Sequence, residues 1–204
     1  MSDTQDLLLS AHKVTKRFGG LTAVNEVSVD LNLGQIHAVI GPNGAGKSTT
    51  MRIIGATSVR TSGTLTILGK DPEVNGPQIR AHLGVVPQQD NLDTHLTVTE
   101  NLYIYGRYFG LSRKFVKNKI EELLIFAQLE EKRNAKVESL SGGMKRRLTI
   151  ARALVSEPEI LMLDEPTTGL DPNQIIEIRE LIKKIGKENF VILIVIIIIL
   201  SVIV

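Results

Sequence analysis

Residues 41–48 (GPNGAGKS) have the types and spacing of a phosphate-binding loop. They fit the pattern G-x-x-x-x-G-K-[ST], and they stand between a strand-like segment and a helical one, which is the context the motif needs. The residues predicted to contact a nucleotide here are Gly41, Pro42, Asn43, Gly44, Ala45, Gly46, Lys47, Ser48 and Thr49. Backbone N–H groups would form an anion nest, Lys47 would act on the β- and γ-phosphates, and the Ser48 hydroxyl would ligate Mg²⁺. The alternative is a glycine-rich turn that carries a chance lysine.

Two carboxylates follow an apolar segment over residues 160–163. Asp164 and Glu165 would therefore lie at the carboxyl end of a strand, where open α/β sheets bind their ligands. We expect Asp164 to be a direct or indirect partner of Mg²⁺, and Glu165 to be the catalytic general base that polarises a water. The alternative is a pair of acids that marks a strand end before Pro166.

A third group, Ser141-Gly142-Gly143, precedes a helical pattern. Ser141 is a good N-cap, and the bare N–H groups of a helix N-terminus favour an anion. The sequence thus indicates a second phosphate contact formed by Ser141, Gly142 and Gly143. The alternative is a capped helix that begins with flexible glycines.

The elements that must position these groups alternate between strands and helices. Strand-like segments cover 7–14, 23–31, 36–40, 64–68, 83–86, 160–163 and 191–196; helical periodicity follows Lys47 and covers 98–109, 114–126, 141–155 and 173–186. The alternation predicts an α/β fold with a parallel central sheet. Two early strands predict an antiparallel β layer on the N-terminal side. Residues 92–140 read as an inserted α-helical subdomain within a single domain spanning 1–204.

Composition narrows the function classes. A chain of 204 residues with a net charge of +2 has too little positive charge to favour nucleic acid as a partner. The absence of cysteine excludes a disulfide framework and thiolate metal sites. The polar first residues do not resemble a secretory signal.

In this order, the three motifs resemble those of the ATP-binding cassette (ABC) family, the ATPase subunits that power membrane transporters. The similarity covers about residues 8–191, and the segments 85–93 (VVPQQDNLD) and 141–154 (SGGMKRRLTIARAL) resemble a bacterial branch of nodulation-factor, drug and polysaccharide exporters. The resemblance implies a P-loop NTPase fold, ATP and Mg²⁺ as ligands, and ATP hydrolysis coupled to export. It also implies a second ATPase subunit in a head-to-tail homodimer, a separate transmembrane permease, and a location on the cytoplasmic face of the inner membrane.

Further site residues follow from the resemblance alone. Gln88 matches the glutamine that contacts Mg²⁺ and the attacking water, and Phe18 matches an aromatic that stacks on adenine. Asp171 matches a residue of the dimer interface, where it is also a good N-cap before Pro172. Ser141, Gly142 and Gly143 would meet the partner subunit's nucleotide.

The family pattern fails near the end of the chain. Family members carry a histidine after the strand that begins at Val191, whereas the four histidines here all precede Glu165. Residues 190–204 form an atypical apolar tail, which we expect to be a truncated or frame-shifted end, or an incomplete gene product. The alternative is insertion as a short membrane anchor. A nucleotide-binding remnant with little or no turnover is therefore the alternative to an exporter ATPase. A cassette acting in DNA repair or translation is a third reading.

Overall fold

The computed structural model describes residues 7–186 and 191–196, the second segment by its backbone only. The strands are β1 (Leu7–Phe18), β2 (Leu21–Asn32), β3 (Ile36–Ile40), β4 (Ser62–Ile67), β5 (Leu83–Val86), β6 (Ile160–Asp164) and β7 (Val191–Ile196). The helices are α1 (Lys47–Ile54), α2 (Pro72–Arg80), α3 (Val98–Tyr108), α4 (Arg113–Ala127), α5 (Gly142–Leu154) and α6 (Pro172–Gly186). Every predicted strand is present, and each predicted helix is too.

The described strands form two sheets. In one, β1 lies between β2 and β4 and pairs antiparallel with both; in the other, β3, β7, β6 and β5 follow in that order, all parallel. The predicted fold class is confirmed. The antiparallel sheet also takes β4, a strand that follows the first helix, so it is not built from the first two strands alone.

Strand β6 is buried on both faces and separates two hydrophobic clusters. Leu161 and Leu163 belong to the cluster formed with helices α3 to α6. Ile160 and Met162 belong to the cluster formed with the antiparallel sheet and α1. Because side chains alternate along a strand, β6 contributes residues to both hydrophobic clusters. Packing on both faces holds the carboxyl end of this strand in place.

Helices occupy the stretch predicted as a helical subdomain. Thr97 begins α3 with a capping box to Glu100, and Ser112 caps α4, which ends at Gln128 in the left-handed conformation. Two short 3₁₀ turns, Glu130–Lys132 and Val137–Ser139, lead into α5. That residues 92–140 act as one unit stays a prediction. No helix in the described part of the chain is both long and apolar enough to cross a membrane.

Helix α2 is the α-helix in the described part of the chain that the sequence did not predict. It contains Gly76 and Pro77, which are poor residues for a helix interior, and its backbone leaves helical geometry at Asn75. Asp71 at the N-cap and Pro72 at the first helical position are the local signals for its start. These two residues indicate only where a helix could begin. The segment lacks the apolar periodicity that would predict a helix beyond that point.

The predicted apolar tail falls only partly on described residues. Residues 191–196 form β7, whose backbone pairs with β3 through Ile36 and Ile192 and with β6 through Leu163 and Ile194. Residue 190 and residues 197–204 lie outside the described part of the chain.

The start of α2 offers a test of the fold at low pH. Asp71 accepts bonds from the Arg60 guanidinium at 2.7 and 3.1 Å and from the Glu73 amide at 2.9 Å. These bonds lower the pKa of Asp71 from 3.8 to about 2. Since the folded-state pKa lies below the unfolded one, the stabilisation is complete above pH 3.8 and is lost as pH falls towards about 2.

We therefore expect Asp71→Asn to lower the free energy of unfolding at neutral pH by about 0.5–1 kcal/mol, a modest loss because the Asp71 side chain is 39% exposed and solvent screens its charge. The difference from wild type should shrink as pH falls from about 4 to 2. Urea unfolding across this pH range measures it. Asp30→Asn, at an exposed position of β2, is the control. Identical pH profiles for both variants would contradict the role given to Asp71.

Candidate functional site

The phosphate-binding loop connects β3 to α1. Gly44 and Gly46 have φ angles of 84° and 82°, which only glycine adopts without strain. The Lys47 side chain is buried, and its Nζ donates to the Gly41 carbonyl at 2.6 Å and to the Pro42 carbonyl at 2.9 Å. The ammonium is thus held inside the curve of the loop, where an anion would meet it.

Strand β2 packs against the phosphate-binding loop at Gly46. A Cβ atom added at Gly46 would lie 2.1 Å from the Ala23 carbonyl oxygen, so only glycine allows this approach. A cavity of about 240 Å³ opens over the loop. It is lined by Leu21, Thr22, Ala23, Asn43, Gly44, Gly46, Lys47, Ser48, Thr49 and Glu165. Most of the loop residues predicted to contact a nucleotide are therefore gathered in one cavity with the predicted general base.

Leu21, Thr22 and Ala23 in this wall were missed by the sequence analysis. They carry no motif, and only the packing of the β1–β2 hairpin against the loop brings them there. Phe18, predicted to stack on adenine, is 52% exposed and does not line the cavity. It lies directly across the hairpin from Leu21, and Lys16 Nζ stands 4.8 Å from its ring centroid.

Asp164, the last residue of β6, and Glu165, which follows it, lie in different environments. Asp164 is half-buried, and burial raises its pKa, although the charges of Arg146, Lys47 and Arg52 act in the opposite direction. Glu165 is only 9% exposed and has a φ of 47°, a left-handed conformation that costs energy in a residue with a side chain. The strained residue is therefore the one predicted to act as base.

Gln88 and Glu165, 77 positions apart in the sequence, meet through their side chains. Gln88 Nε2 donates to Glu165 Oε2 at 2.8 Å, and Thr168 Oγ1 donates to the same oxygen at 3.2 Å. Thr168 was also missed, although its place three residues after Glu165 in a turn is a local signal. Within residues 7–186, Glu165 Oε1 accepts no hydrogen bond, so the two bonds are both made to Oε2.

The three residues predicted to hold Mg²⁺ share a second cavity. Ser48, Gln88 and Asp164 line a space of about 540 Å³ between the parallel sheet and α3, together with Arg52, Arg80 and Tyr105. A hydroxyl, an amide oxygen and a carboxylate are oxygen ligands of the kind that Mg²⁺ takes beside phosphate. The donor set therefore fits the ion.

The start of α5 lies apart from both cavities. Ser141 caps the helix by accepting a bond from the Met144 amide at 3.3 Å, and Ser141 and Gly142 are exposed. Gly143 is buried against the side chain of Gln174. None of Ser141, Gly142 and Gly143 lines the cavity over the phosphate loop. This chain therefore does not bring its own helix start to its own loop.

Asp171 is the N-cap of α6, as the sequence predicts. Its Oδ1 accepts a bond from the Gln174 amide at 3.0 Å, and its carbonyl accepts one from the Ile175 amide at 3.0 Å. The side chain is exposed, so capping does not remove it from the surface.

The glycines of the loop supply a matched pair of variants. Alanine at Gly44 meets open space and carries only the cost of its left-handed backbone, about 1–2 kcal/mol. Alanine at Gly46 carries a similar cost plus the overlap with the Ala23 carbonyl, for a total of roughly 2–4 kcal/mol. Chemical denaturation without nucleotide measures both. Equal losses would show that β2 does not press on the loop.

Comparison with known proteins identifies the family. Residues 24–168 match the family model described as ABC transporter. The Nod factor export ATP-binding protein I of Cupriavidus pinatubonensis is 48% identical over 165 residues, which are 81% of this chain and 51% of that protein. The chain spans about half the length of the curated relatives it matches.

The solved structures similar to the chain include two ABC proteins. The structure of cbiO1 from Clostridium perfringens, part of the ABC transporter complex cbiONQ, has a TM-score of 0.87 and 28% identity, covering 94% of this chain and 79% of that one. A dimeric ATP-binding cassette in a post-hydrolysis state, bound to ADP and phosphate, has a TM-score of 0.78 and 30% identity, covering 92% and 87%.

The family match covers well over half of the chain and includes the phosphate loop, the start of α5 and both carboxylates. The chain therefore belongs to the ATP-binding proteins of the ABC transporter family.

Proposed function

We propose that the protein binds and hydrolyses ATP as the ATPase subunit of an ABC exporter. The observation that carries this proposal is the placement of Glu165, which lines the same cavity as Lys47 and accepts a hydrogen bond from Gln88. A cradle for phosphates and a held carboxylate within one cavity are the parts that hydrolysis of a phosphoanhydride requires.

The residues present fit ATP and Mg²⁺. The glycine loop, Lys47 and the first residues of α1 would hold the phosphates, and Phe18 would stack on the adenine. Ser48, Gln88 and Asp164 would hold Mg²⁺, which, when bound, neutralises charge on the phosphate oxygens. A bound cation would stabilise the ionised form of Asp164, because burial penalises the negative charge of this carboxylate and a positive ligand would offset that penalty.

Glu165 acts as the general base. The bonds from Gln88 and Thr168 hold Oε2, so Oε1 is the oxygen that takes the proton from the attacking water. Gln88 orients both the carboxylate and that water. Lys47 stabilises the negative charge on the transferred phosphoryl group.

A second copy of the chain completes the site. Because Ser141 and Gly142 are exposed and lie outside the cavity over the loop, their helix N-terminus is available to the nucleotide of a partner subunit in a head-to-tail homodimer. Asp171, exposed at the start of α6, would lie at the same interface. The similarity to a cassette solved as a dimer supports this arrangement.

A separate transmembrane permease is the proposed partner for transport. The cavity of about 540 Å³ between α3 and the parallel sheet contains Gln88, so an element docked there would contact the residue that holds Glu165. The relatives' name, Nod factor export ATP-binding protein I, supports export as the direction of transport. Docked on such a permease, the protein would lie peripherally on the cytoplasmic face of the inner membrane.

One observation favours a second candidate function, a remnant that binds ATP with little or no turnover. None of His12, His37, His82 and His95 lines either described cavity, so no histidine in the described part of the chain supports Glu165. Loss of one positioned contact to a transition state typically costs about 10²–10³ in rate. Binding rests on the loop and would survive.

The test is Mg²⁺-dependent ATP turnover by the purified protein, with nucleotide binding measured in parallel. Glu165→Gln should bind ATP as wild type does and lose about 10²–10⁴ in kcat, because the amide cannot accept the proton. Glu130→Gln, an exposed change in the first 3₁₀ turn, is the control and should leave kcat unchanged.

The possible outcomes bear on the two candidates and on the role of Glu165 in different ways. Turnover above the Glu165→Gln background supports the exporter ATPase. Binding without turnover supports the remnant. Absence of binding would contradict both, and wild-type turnover in Glu165→Gln would remove Glu165 from the role of base.

A further inference from the structure

Arg146, in the second turn of α5, is 4% exposed and directs its guanidinium at the turn that carries Glu165. Nε donates to the Pro166 carbonyl at 2.8 Å. Nη2 donates to the carbonyl of Asp164 at 3.1 Å and to that of Glu165 at 3.2 Å. One side chain thus binds three successive carbonyls on the strained turn.

The same guanidinium reaches the loop that carries Gln88. Nη1 donates to the Pro87 carbonyl at 2.6 Å and lies 3.4 Å from that of Gln88. It also lies 3.3 Å from Asp90 Oδ1, which accepts a bond from Thr149 Oγ1 at 2.9 Å. The two loops whose side chains form the Gln88–Glu165 hydrogen bond are therefore joined a second time, through their backbones, by Arg146.

The backbone of Glu165 needs such a support. A left-handed residue with a side chain is strained, and it persists only when its surroundings hold it. Three carbonyls that point to one side also repel one another unless a donor lies among them. The planar guanidinium carries five N–H groups in a fixed fork, so it can serve both loops at once. A lysine ammonium has three donors at a single point and cannot span them.

We propose that Arg146 is a positioning residue for the reaction, which sets the carboxylate of Glu165 and the amide of Gln88 at hydrogen-bond distance by holding both loops. This inference rests on the proposed function. Arg146 touches neither the nucleotide cavity nor the larger cavity beside Gln88, so it acts through these two residues.

The place of Arg146 on α5 adds a consequence. It lies five residues after Ser141, on the same helix whose start is exposed to a partner's nucleotide. A displacement of that helix start moves Arg146, and with it the turn of Glu165 and the loop of Gln88 together. In this way, the contact that one subunit makes to its partner's nucleotide is connected to Glu165 of the same subunit, which is the base for that subunit's own nucleotide.

The first experiment compares Arg146→Lys with Arg147→Lys by steady-state ATP turnover and nucleotide binding. Arg147 is a matched control, since it is the next residue on α5, is mostly buried, and pairs with Glu177 at 2.8 Å, away from both cavities. Arg146→Lys should lower kcat by about 100-fold, the effect of a small misplacement of catalytic groups. The affinity for ATP should be unchanged, and Arg147→Lys should retain both values.

Asp90→Asn distinguishes the carbonyl bonds from the ion pair. An asparagine Oδ1 still accepts from Arg146, and the five carbonyl contacts remain, so kcat should stay close to that of wild type. A loss as large as that of Arg146→Lys would show that the charge of Asp90 carries the effect, and would overturn the proposal.

A second measurement, hydrogen exchange, tests the proposal first on the wild-type protein without any substitution. Native-state amide hydrogen exchange should show that residues 85–91 and residues 164–169 open with the same free energy, because one side chain holds both. In Arg146→Lys both segments should lose protection together. Independent opening in wild type, or unchanged protection in the variant, would contradict the proposal.

These outcomes separate this inference from the proposed function. If wild-type protein binds ATP but does not turn it over, the function fails while the exchange data still decide the role of Arg146. If wild type is active and Arg146→Lys keeps its kcat, the function stands and the positioning role is wrong.

Discussion

The parallel register of β5 with β6 is the constraint on which the site depends. Val86 is paired with Leu163 in that register, so the residues two positions further along each strand direction are Gln88 and Glu165. Their side chains meet at 2.8 Å. A shift of one residue between these strands would separate the amide from the carboxylate and would also turn the apolar side chains of β6 to the wrong cores. The same pairing therefore fixes both the fold and the chemistry.

Much of the remaining structure makes that edge of the sheet rigid. Helices pack on one face of β6 and the antiparallel sheet with α1 on the other, so the strand that ends in the carboxylates has little freedom. Beyond the strand, the backbone turns sharply at Glu165, and the buried guanidinium of Arg146 compensates for that turn. Burial lowers the pKa of Arg146, but Asp90 and Asp164 act in the opposite direction, and the guanidinium keeps its charge.

The phosphate loop, in contrast, takes its geometry mainly from its own residues. Its geometry comes from glycines at left-handed positions and from the lysine that bonds its own loop carbonyls, all within eight residues. The rest of the molecule contributes one wall of the cavity over the loop. Strand β2 approaches so closely that Gly46 cannot carry a side chain, and it brings Leu21, Thr22 and Ala23 to the cavity. Function is thus divided between a local motif and a surface made by distant residues.

The sequence by itself determined the features that depend on near neighbours: the phosphate loop, the N-caps at Ser141 and Asp171, the strand before Asp164, and the alternation that predicts an α/β fold. The loop, the caps and the strand rest on the spacing of near neighbours, where backbone geometry alone decides the contacts, and the alternation is the order of such local patterns along the chain. The same local logic missed α2, whose glycine and proline hide its period. Only the tertiary structure decided which strands are neighbours, that Gln88 bonds Glu165, that Thr22 and Ala23 line the cavity, and that Arg146 binds two loops. The hydrogen bonds of Gln88 and Arg146 join residues 18 to 77 positions apart, and the paired strands β3 and β7 lie still further apart in the sequence. A long-range contact is set by the packing of the whole core rather than by any signal in the residues that make it.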